Sequence, residues 1–158
     1  MGKSRAKIDG DGVDGDGQAV LNIQAHGDAA FCGQGAAYEG LTLSRLPKFE
    51  IGGSIHIITN NQVGFSTEPT DGRSFEHSSD IVKSFGIPVI RVNAADGAST
   101  PETLIRVCRF AIAYWKTYKK DILIDMIGFR KHGHNEVDEP GFTQPEMYQI
   151  VRNTKSLP

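Results

Sequence analysis

The amino-acid sequence predicts an α/β fold: a doubly wound parallel sheet with helices on both faces. Two features of the chain predict it. Short apolar runs, typical of buried strands, alternate with longer stretches whose apolar residues recur at helical spacing. Successive strands are also separated by enough residues for a crossover helix, which parallel pairing requires and a hairpin does not.

Seven elements follow this alternation in order. They are a strand over 19–26, a helix over 33–46, a strand over 54–59, a helix over 78–86, a strand over 88–94, a helix over 100–120 and a strand over 121–129. The helix over 78–86 begins at serine, a common capping residue, and ends at glycine. The helix over 100–120 has the clearest periodicity. Its predicted apolar face consists of Leu104, Cys108, Ala111, Ile112, Trp115 and Tyr118.

Length and composition indicate one globular domain with an ordinary charge balance. With 158 residues, 39% of them hydrophobic, the chain can bury a core of its own. A net charge of −2 gives no electrostatic reason to expect nucleic acid or a membrane as a partner. No apolar run approaches the roughly 20 residues of a membrane-spanning helix. Cys32 and Cys108 are expected to be reduced thiols, with a single disulfide as the alternative.

The N-terminal stretch differs in composition from the rest of the chain. Residues 1–18 are predicted to form a flexible segment, and residues 19–158 a single domain. The sequence IDGDGVDGDGQ at 8–18 is mostly glycine and aspartate and has little to bury. A calcium-binding loop is the alternative, but Asp14 stands where that loop needs glycine and Val20 where it needs glutamate.

Polar residues follow the predicted strands, at the edge of an open parallel sheet where ligands bind. The first strand ends in HGDAA, the second ends in NNQVG, and RKHGHNEVDE follows the fourth. Asp28 and Asn61 are 33 positions apart, one strand–helix–strand unit, so their side chains can meet. The Asp28 carboxylate, the Asn61 amide oxygen and the Val63 carbonyl suit a Mg²⁺ ion shared with a phosphate. The CGQG turn opens a helix whose N-terminus favours that phosphate, and Asn60 is predicted to brace the turn.

The same residues also fit a purely structural role, a nicotinamide dinucleotide site or a zinc site. Asp28 alone can cap a helix, and paired asparagines are common in turns because they bond nearby backbone. A nicotinamide dinucleotide site is disfavoured, because GQGAAY lacks the third glycine and Asn60 stands where an acidic residue is expected. A zinc site at His132, His134 and Glu136 is disfavoured, because no cysteine pair or H-E-x-x-H helix accompanies it. A histidine that donates to phosphate, or acts as acid or base near a carbonyl, suits the location better.

Three segments carry a family resemblance: HGDAAFCGQG, NNQVGF and HGHNEVDEPGFTQPEMY. With them the chain resembles the E1 component of 2-oxoglutarate dehydrogenase and its 2-oxoadipate-type relative, from near its start to about Arg152. The spacing of GDA and NN, with 30 residues between them, matches the diphosphate-binding motif of thiamine diphosphate enzymes. The resemblance implies a thiamine diphosphate-binding fold, of which this chain is the diphosphate-binding domain.

The resemblance also implies a role for individual residues. Asp28, Asn61 and the carbonyl of Val63 would hold Mg²⁺ against the diphosphate of thiamine diphosphate. His134 would be a catalytic residue that lies near the cofactor diphosphate and the active centre. The residues implied to line the diphosphate and thiazolium are Ala29, Ala30, Gly33, Gln34 and Gly35.

The activity implied by the resemblance is the oxidative decarboxylation of 2-oxoglutarate or 2-oxoadipate, in the tricarboxylic acid cycle or in lysine catabolism. The acyl group passes to lipoamide on the lipoyl domain of an E2 dihydrolipoyl acyltransferase. Family E1 chains are homodimers in which the cofactor lies between the diphosphate domain of one subunit and the pyrimidine domain of the other. This chain matches only the former, so an inactive fragment or an interaction module is the alternative. The implied compartment is the mitochondrial matrix in a eukaryote and the cytoplasm otherwise.

Overall fold

The computed structural model describes residues 20–95 and 100–154, with only the backbone at position 100. The predicted flexible segment 1–18 and the calcium-loop alternative within it lie outside these residues. The sheet contains four strands: β1 (Asn22–Gly27), β2 (Ser54–Asn60), β3 (Val89–Asn93) and β4 (Ile122–Ile127). Their order is β1-β2-β4-β3 and every pairing is parallel, which confirms the predicted fold class.

Helices connect the strands and follow the last of them. The described residues form α1 (Asp28–Gly33), α2 (Ala36–Leu43), α3 (Pro69–Gly72), α4 (Thr100–Tyr118) and α5 (Pro145–Asn153), and 3₁₀ helices over Ser78–Phe85 and Pro140–Phe142. The helix predicted over 33–46 is present as the shorter α2, which begins after Gly35, a residue with φ +41. A separate helix, α1, precedes it. None of α1, α3, α5 or the 3₁₀ helix Pro140–Phe142 was predicted from the sequence.

The helix predicted over 78–86 is present as the 3₁₀ helix Ser78–Phe85, and it ends at Gly86 with φ 63, as predicted. The predicted serine cap is wrong. His77 is the N-cap residue, and its backbone N–H donates to the Asp80 carboxylate at 3.1 Å. Ser78 and Ser79 are fully buried and direct their hydroxyl groups towards the sheet.

The core lies in two layers, one on each face of the sheet. On one face α1, α2 and the 3₁₀ helix cover the strands, and the buried residues are Phe31, Leu41, Ile58, Val82, Ile87 and Leu123. On the other face α4 lies against β2, β3 and β4, and the buried residues are Ile55, Val92, Ala111, Trp115, Ile122 and Ile124. Burial on both faces of the sheet explains the apolar runs of β2 and β4, whereas β1 is mostly exposed.

The apolar face of α4 is narrower than predicted. Leu104, Ala111 and Trp115 face the core as expected. Cys108 is exposed, and Ile112 and Tyr118 are 39% and 58% exposed, so these three assignments are wrong. The residues that pack in their place are Val107 and Tyr114. Together the packed residues recur every three or four positions, because only that stripe of a helix reaches a sheet.

The register brings the carboxyl ends of β1, β2 and β4 together. Gly27 at the end of β1 pairs with Thr59, and Asn60 at the end of β2 pairs with Ile127 of β4. The segments that leave these strands therefore start side by side. Over residues 20–95 and 100–154, no helix is both long and apolar enough to cross a membrane.

Candidate functional site

Asp28 follows β1 directly and is the first residue of α1. Its side chain is 3% exposed, so a carboxylate is buried where β1 ends. Burial raises the pKa of this carboxyl group above its ordinary value of 3.8. Its own backbone N–H, the Arg73 charge and the N–H groups of Ala29 and Asn61 oppose that shift and offset it only in part. The Asn61 N–H group therefore lies near the Asp28 carboxylate, where β1 and β2 end.

A tight turn follows β2. Asn60 Oδ1 accepts a hydrogen bond from the Gln62 backbone N–H at 3.1 Å, so the prediction that Asn60 braces the turn is confirmed. Asn61 Oδ1 accepts one from the Val63 backbone N–H, also at 3.1 Å. Gln62 has φ +61, a left-handed conformation that residues other than glycine seldom adopt. The two asparagine side chains thus fold the turn back on itself and fix the peptides of the predicted metal ligands.

The turn after β2 packs closely against α1. A Cβ atom added to Gly64 would stand 2.9 Å from the Ala29 Cβ, so only glycine fits here without displacing α1. Ala29 is exposed and Ala30 half-buried, and both lie in α1 beside Asp28. Gly33, Gln34 and Gly35 are exposed and form the break before α2. Small or exposed residues thus follow Asp28 along α1 and into the break before α2.

His134 lies in the loop that follows β4, where its side chain is exposed. Its Nδ1 is 3.0 Å from an Arg130 guanidinium nitrogen, and its backbone N–H donates to Asp138 Oδ2 at 2.9 Å. Its ring meets the Phe65 ring edge to face, with centroids 5.0 Å apart. Because Phe65 follows Gly64, this ring contact is the link between His134 and the turn that carries Asn61.

A cleft of about 980 Å³ opens at the loop over 128–139 that follows β4, called here the histidine loop. Its lining includes His132, Glu136 and Asp138. Tyr148 also lines it; its hydroxyl group is buried without a hydrogen-bond partner among the described residues. The lining residues of this cleft include neither Asp28 nor Asn61. The cleft and the predicted magnesium ligands therefore lie at different places along the strand ends.

The predicted ligand set contains a single carboxylate. Within the described ranges, no three histidine, cysteine, aspartate or glutamate side chains lie together as a metal-binding group. A site built from one carboxylate, one amide and one backbone carbonyl does not need such a group, and its all-oxygen chemistry suits Mg²⁺. The donor types at the ends of β1 and β2 fit that ion.

Two residues that contribute to this region, Arg73 and Asp125, are not among the predicted site residues. Arg73 places a positive charge near Asp28, but no motif in its surroundings indicates that. Asp125 lies fully buried in β4 and accepts a hydrogen bond from Asn60 Nδ2 at 3.0 Å. Its signal was available, because one charged residue interrupts the apolar run ILIDMI.

Comparison with known proteins defines the class. The family model described as "Dehydrogenase E1 component" matches residues 11–157 of this chain. The chain therefore belongs to the dehydrogenase E1 component family, which confirms the resemblance drawn from the three sequence segments.

Individual relatives are similar over most of this chain. The chain is 52% identical to a Dictyostelium discoideum protein named as a probable 2-oxoadipate dehydrogenase complex component E1 homolog, over 99% of this chain and 17% of that protein. It is 47% identical to the 2-oxoadipate dehydrogenase complex component E1 of Rattus norvegicus over the same two shares. It is 48% identical to the 2-oxoglutarate dehydrogenase E1 component of Bacillus pumilus, over 90% of this chain and 15% of the relative. The chain thus spans about a sixth of the length of these relatives.

Proposed function

We propose that this chain is the diphosphate- and magnesium-binding part of a thiamine diphosphate-dependent 2-oxo acid dehydrogenase E1. The observation that carries the proposal is the buried Asp28 carboxylate, which lies near the Asn61 N–H group where β1 and β2 end. Burial disfavours the charged form of that carboxylate, and a bound divalent cation would favour it. A buried acid at a strand edge is thus a suitable ligand for a cation that carries a phosphate.

The proposed magnesium ligands are the Asp28 carboxylate, the Asn61 amide oxygen and the Val63 backbone carbonyl. The Asn61 oxygen already accepts one hydrogen bond and has a second lone pair for a metal ion. Three protein oxygens leave further positions of an octahedral ion for diphosphate oxygens and water. A neutral amide serves here better than a second carboxylate, which would repel the diphosphate.

The remaining roles concern the cofactor and the substrate. Ala29, Ala30 and the turn over 33–35 would line the diphosphate and thiazolium, because small residues let a ligand approach the backbone. The exposed His134 imidazole would be the catalytic residue, donating a hydrogen bond or holding a proton near the reacting carbonyl. When bound, thiamine diphosphate supplies the electron sink for decarboxylation.

We propose 2-oxoglutarate or 2-oxoadipate as the substrate of the complete enzyme. Its partners would be a second E1 subunit, which completes the cofactor site, and the lipoyl domain of an E2 acyltransferase. The compartment would be the mitochondrial matrix in a eukaryote and the cytoplasm in a bacterium. Because the chain spans only about a sixth of its relatives, it would not turn over substrate alone. That small share also supports the alternative of a non-catalytic fragment or interaction module.

Titration calorimetry of the purified chain with thiamine diphosphate, with and without Mg²⁺, tests the proposal. Binding is expected to be weak and to require Mg²⁺, and Asp28→Ala should weaken it more than about 100-fold, since a ligand is lost. Asp71→Ala is the matched control, because Asp71 is an exposed aspartate in α3.

Three results would contradict the proposal. Binding that is insensitive to Mg²⁺ or to Asp28→Ala would exclude the metal site. NADH binding without thiamine diphosphate binding would favour the nicotinamide alternative. Decarboxylation of 2-oxoglutarate by the isolated chain would show that the site needs no second half.

A further inference from the structure

Asp125 is a buried charge to which the proposed reaction gives no role. It lies in β4, and its side chain is fully shielded from solvent. One carboxylate oxygen accepts a hydrogen bond from Asn60 Nδ2 at 3.0 Å, and the other accepts one from Ser79 Oγ at 2.7 Å. The Arg91 guanidinium stands 3.8 Å from the second oxygen and provides the opposite charge. A buried carboxylate is tolerated only when its oxygens are bonded in this way.

The hydrogen bond to Asn60 transmits the position of Asp125 to the turn after β2. Asn60 is 4% exposed, and the two ends of its side-chain amide make separate hydrogen bonds. The nitrogen donates to Asp125, and the oxygen accepts from the Gln62 backbone N–H. Because both ends of the amide are used, Asn60 cannot rotate without breaking one of these bonds.

Gln62 adds a second connection between the turn and β4. Its side-chain nitrogen donates to the Gly128 carbonyl at 3.0 Å, and the Gly128 backbone N–H donates to the Asn60 carbonyl at 2.8 Å. The left-handed conformation of Gln62 is unfavourable and persists only when its surroundings enforce it. Asn60 and Gly128 supply that constraint from the two sides of the turn.

We propose that Asp125 is a positioning residue of the candidate magnesium site, acting through Asn60 on the turn that presents Asn61 and Val63. This inference deepens the proposed function and rests on it. Asp125 touches neither ligand, so its effect passes through the orientation of a neighbouring amide. Groups that orient metal ligands from behind commonly change metal affinity by about 10- to 100-fold when removed.

The first test needs no ligand. Hydrogen exchange of the Gln62 and Val63 backbone amides is measured in the wild-type chain and in Asp125→Ala, Asp125→Asn and Ser79→Ala variants. Asp125→Ala removes the nearer of the two acceptors of Asn60 Nδ2 and leaves only Ser78 Oγ at 3.5 Å, so exchange is expected to speed up by about tenfold or more. Ser79→Ala removes the other hydrogen bond of the same carboxylate and should leave exchange of both amides within about threefold of wild type.

Asp125→Asn keeps the chain testable if the alanine variant does not fold. Its amide oxygen can still accept from Asn60 while the negative charge is gone. A positioning role predicts turn exchange near that of wild type, whereas a role for the charge alone predicts exchange as fast as in the alanine variant. The latter result would overturn the inference.

The second test measures the Mg²⁺ concentration that supports thiamine diphosphate binding. Asp125→Ala should raise it by about 10- to 100-fold, while Ser79→Ala should change it by less than about twofold. Unchanged turn exchange in Asp125→Ala, or unchanged Mg²⁺ dependence in a folded variant, would overturn the inference. Absence of wild-type binding would instead contradict the proposed function, and the exchange measurement would still decide whether Asp125 holds the turn.

Discussion

The turn after β2 and the loop after β4 follow neighbouring parallel strands, yet they are held in different ways. In the turn, Asn60 and Val63 are 4% and 5% exposed, and hydrogen bonds reach residues 65 and 66 positions further along the chain. In the loop, the His134 side chain is exposed, and the hydrogen bonds over 130–138 span two to four positions. The metal side of the candidate site is therefore preorganised by the sheet, whereas the histidine side is shaped mainly by its own local contacts.

Replacing one glycine in each segment should give the largest difference in unfolding free energy between the turn after β2 and the loop after β4. Gly64→Ala would force its new methyl group against the Ala29 Cβ at 2.9 Å, and we expect a loss of about 1–3 kcal/mol of unfolding free energy. Gly128→Ala, where the loop after β4 begins, would place its new methyl group where no atom beyond the neighbouring residues lies within 4 Å, so the loss should stay below about 1 kcal/mol. Urea denaturation measures both variants. Equal losses would contradict the contrast between the two segments.

A smaller effect is expected from Asp80, which lies in the 3₁₀ helix Ser78–Phe85 and pairs with Lys83 and Arg91. Burial tends to raise the pKa of its carboxyl group, but hydrogen bonds from Lys83 and the His77 N–H, with the charges of Lys83 and Arg91, bring it below the ordinary value of 3.8. A depressed folded-state pKa stabilises the fold above the unfolded value, and this stabilisation is lost as pH falls through the folded value. Asp80→Asn should therefore cost about 1 kcal/mol at neutral pH, and less as the solution becomes acidic.

Thermal unfolding between neutral pH and about pH 2 measures the Asp80 effect. Asp71→Asn, at an exposed position in α3, is the control, and its difference from wild type should be small at every pH. A difference in unfolding temperature between wild type and Asp80→Asn that stays constant across the whole pH range would show that packing, and not charge, accounts for the contribution of Asp80.

The smallest effect is expected from His134. Its removal loses the Phe65 ring contact and the Arg130 interaction, both at exposed positions or nearly so. His134→Ala should change the unfolding free energy by less than about 0.5 kcal/mol. The Mg²⁺ concentration that supports thiamine diphosphate binding should stay within about twofold of the wild-type value. His132→Ala is the matched control in the same loop. A loss above 1 kcal/mol for His134→Ala would show that the loop is held as firmly as the turn.

The same contrast explains what the sequence could reveal. Strand positions were predictable because buried parallel strands produce apolar runs that need no knowledge of their neighbours. The proximity of Asp28 to the Asn61 backbone was predictable because one crossover unit joins them. The helix α1 was missed because Phe31 is its only buried apolar residue, so it shows no periodic apolar face. The contact between Asp125 and Asn60 depends on β2 lying beside β4, and no local pattern specifies that strand order.

The helix α5 was missed for a different reason. Its sequence begins with Pro145, which suits a first helical turn, and its buried residues Tyr148 and Val151 are three positions apart. That signal was present, but the segment around it was assigned from the family resemblance of HGHNEVDEPGFTQPEMY and not from its apolar spacing. The position of His134 after the fourth strand was predictable, but its contacts with Arg130 and Phe65 were not, because exposed loops carry little packing information in their sequence.

The hydrogen bond from Asn60 to a residue 65 positions later also has a consequence for biosynthesis. During synthesis, α1 and the turn after β2, which together contain every proposed magnesium ligand, leave the ribosome before β4. The turn cannot take its final shape until β4 has emerged and inserted between β2 and β3. A nascent chain interrupted before Asp125 would therefore contain the proposed ligand residues without the geometry of the turn, and binding of the proposed metal ion would have to wait for β4.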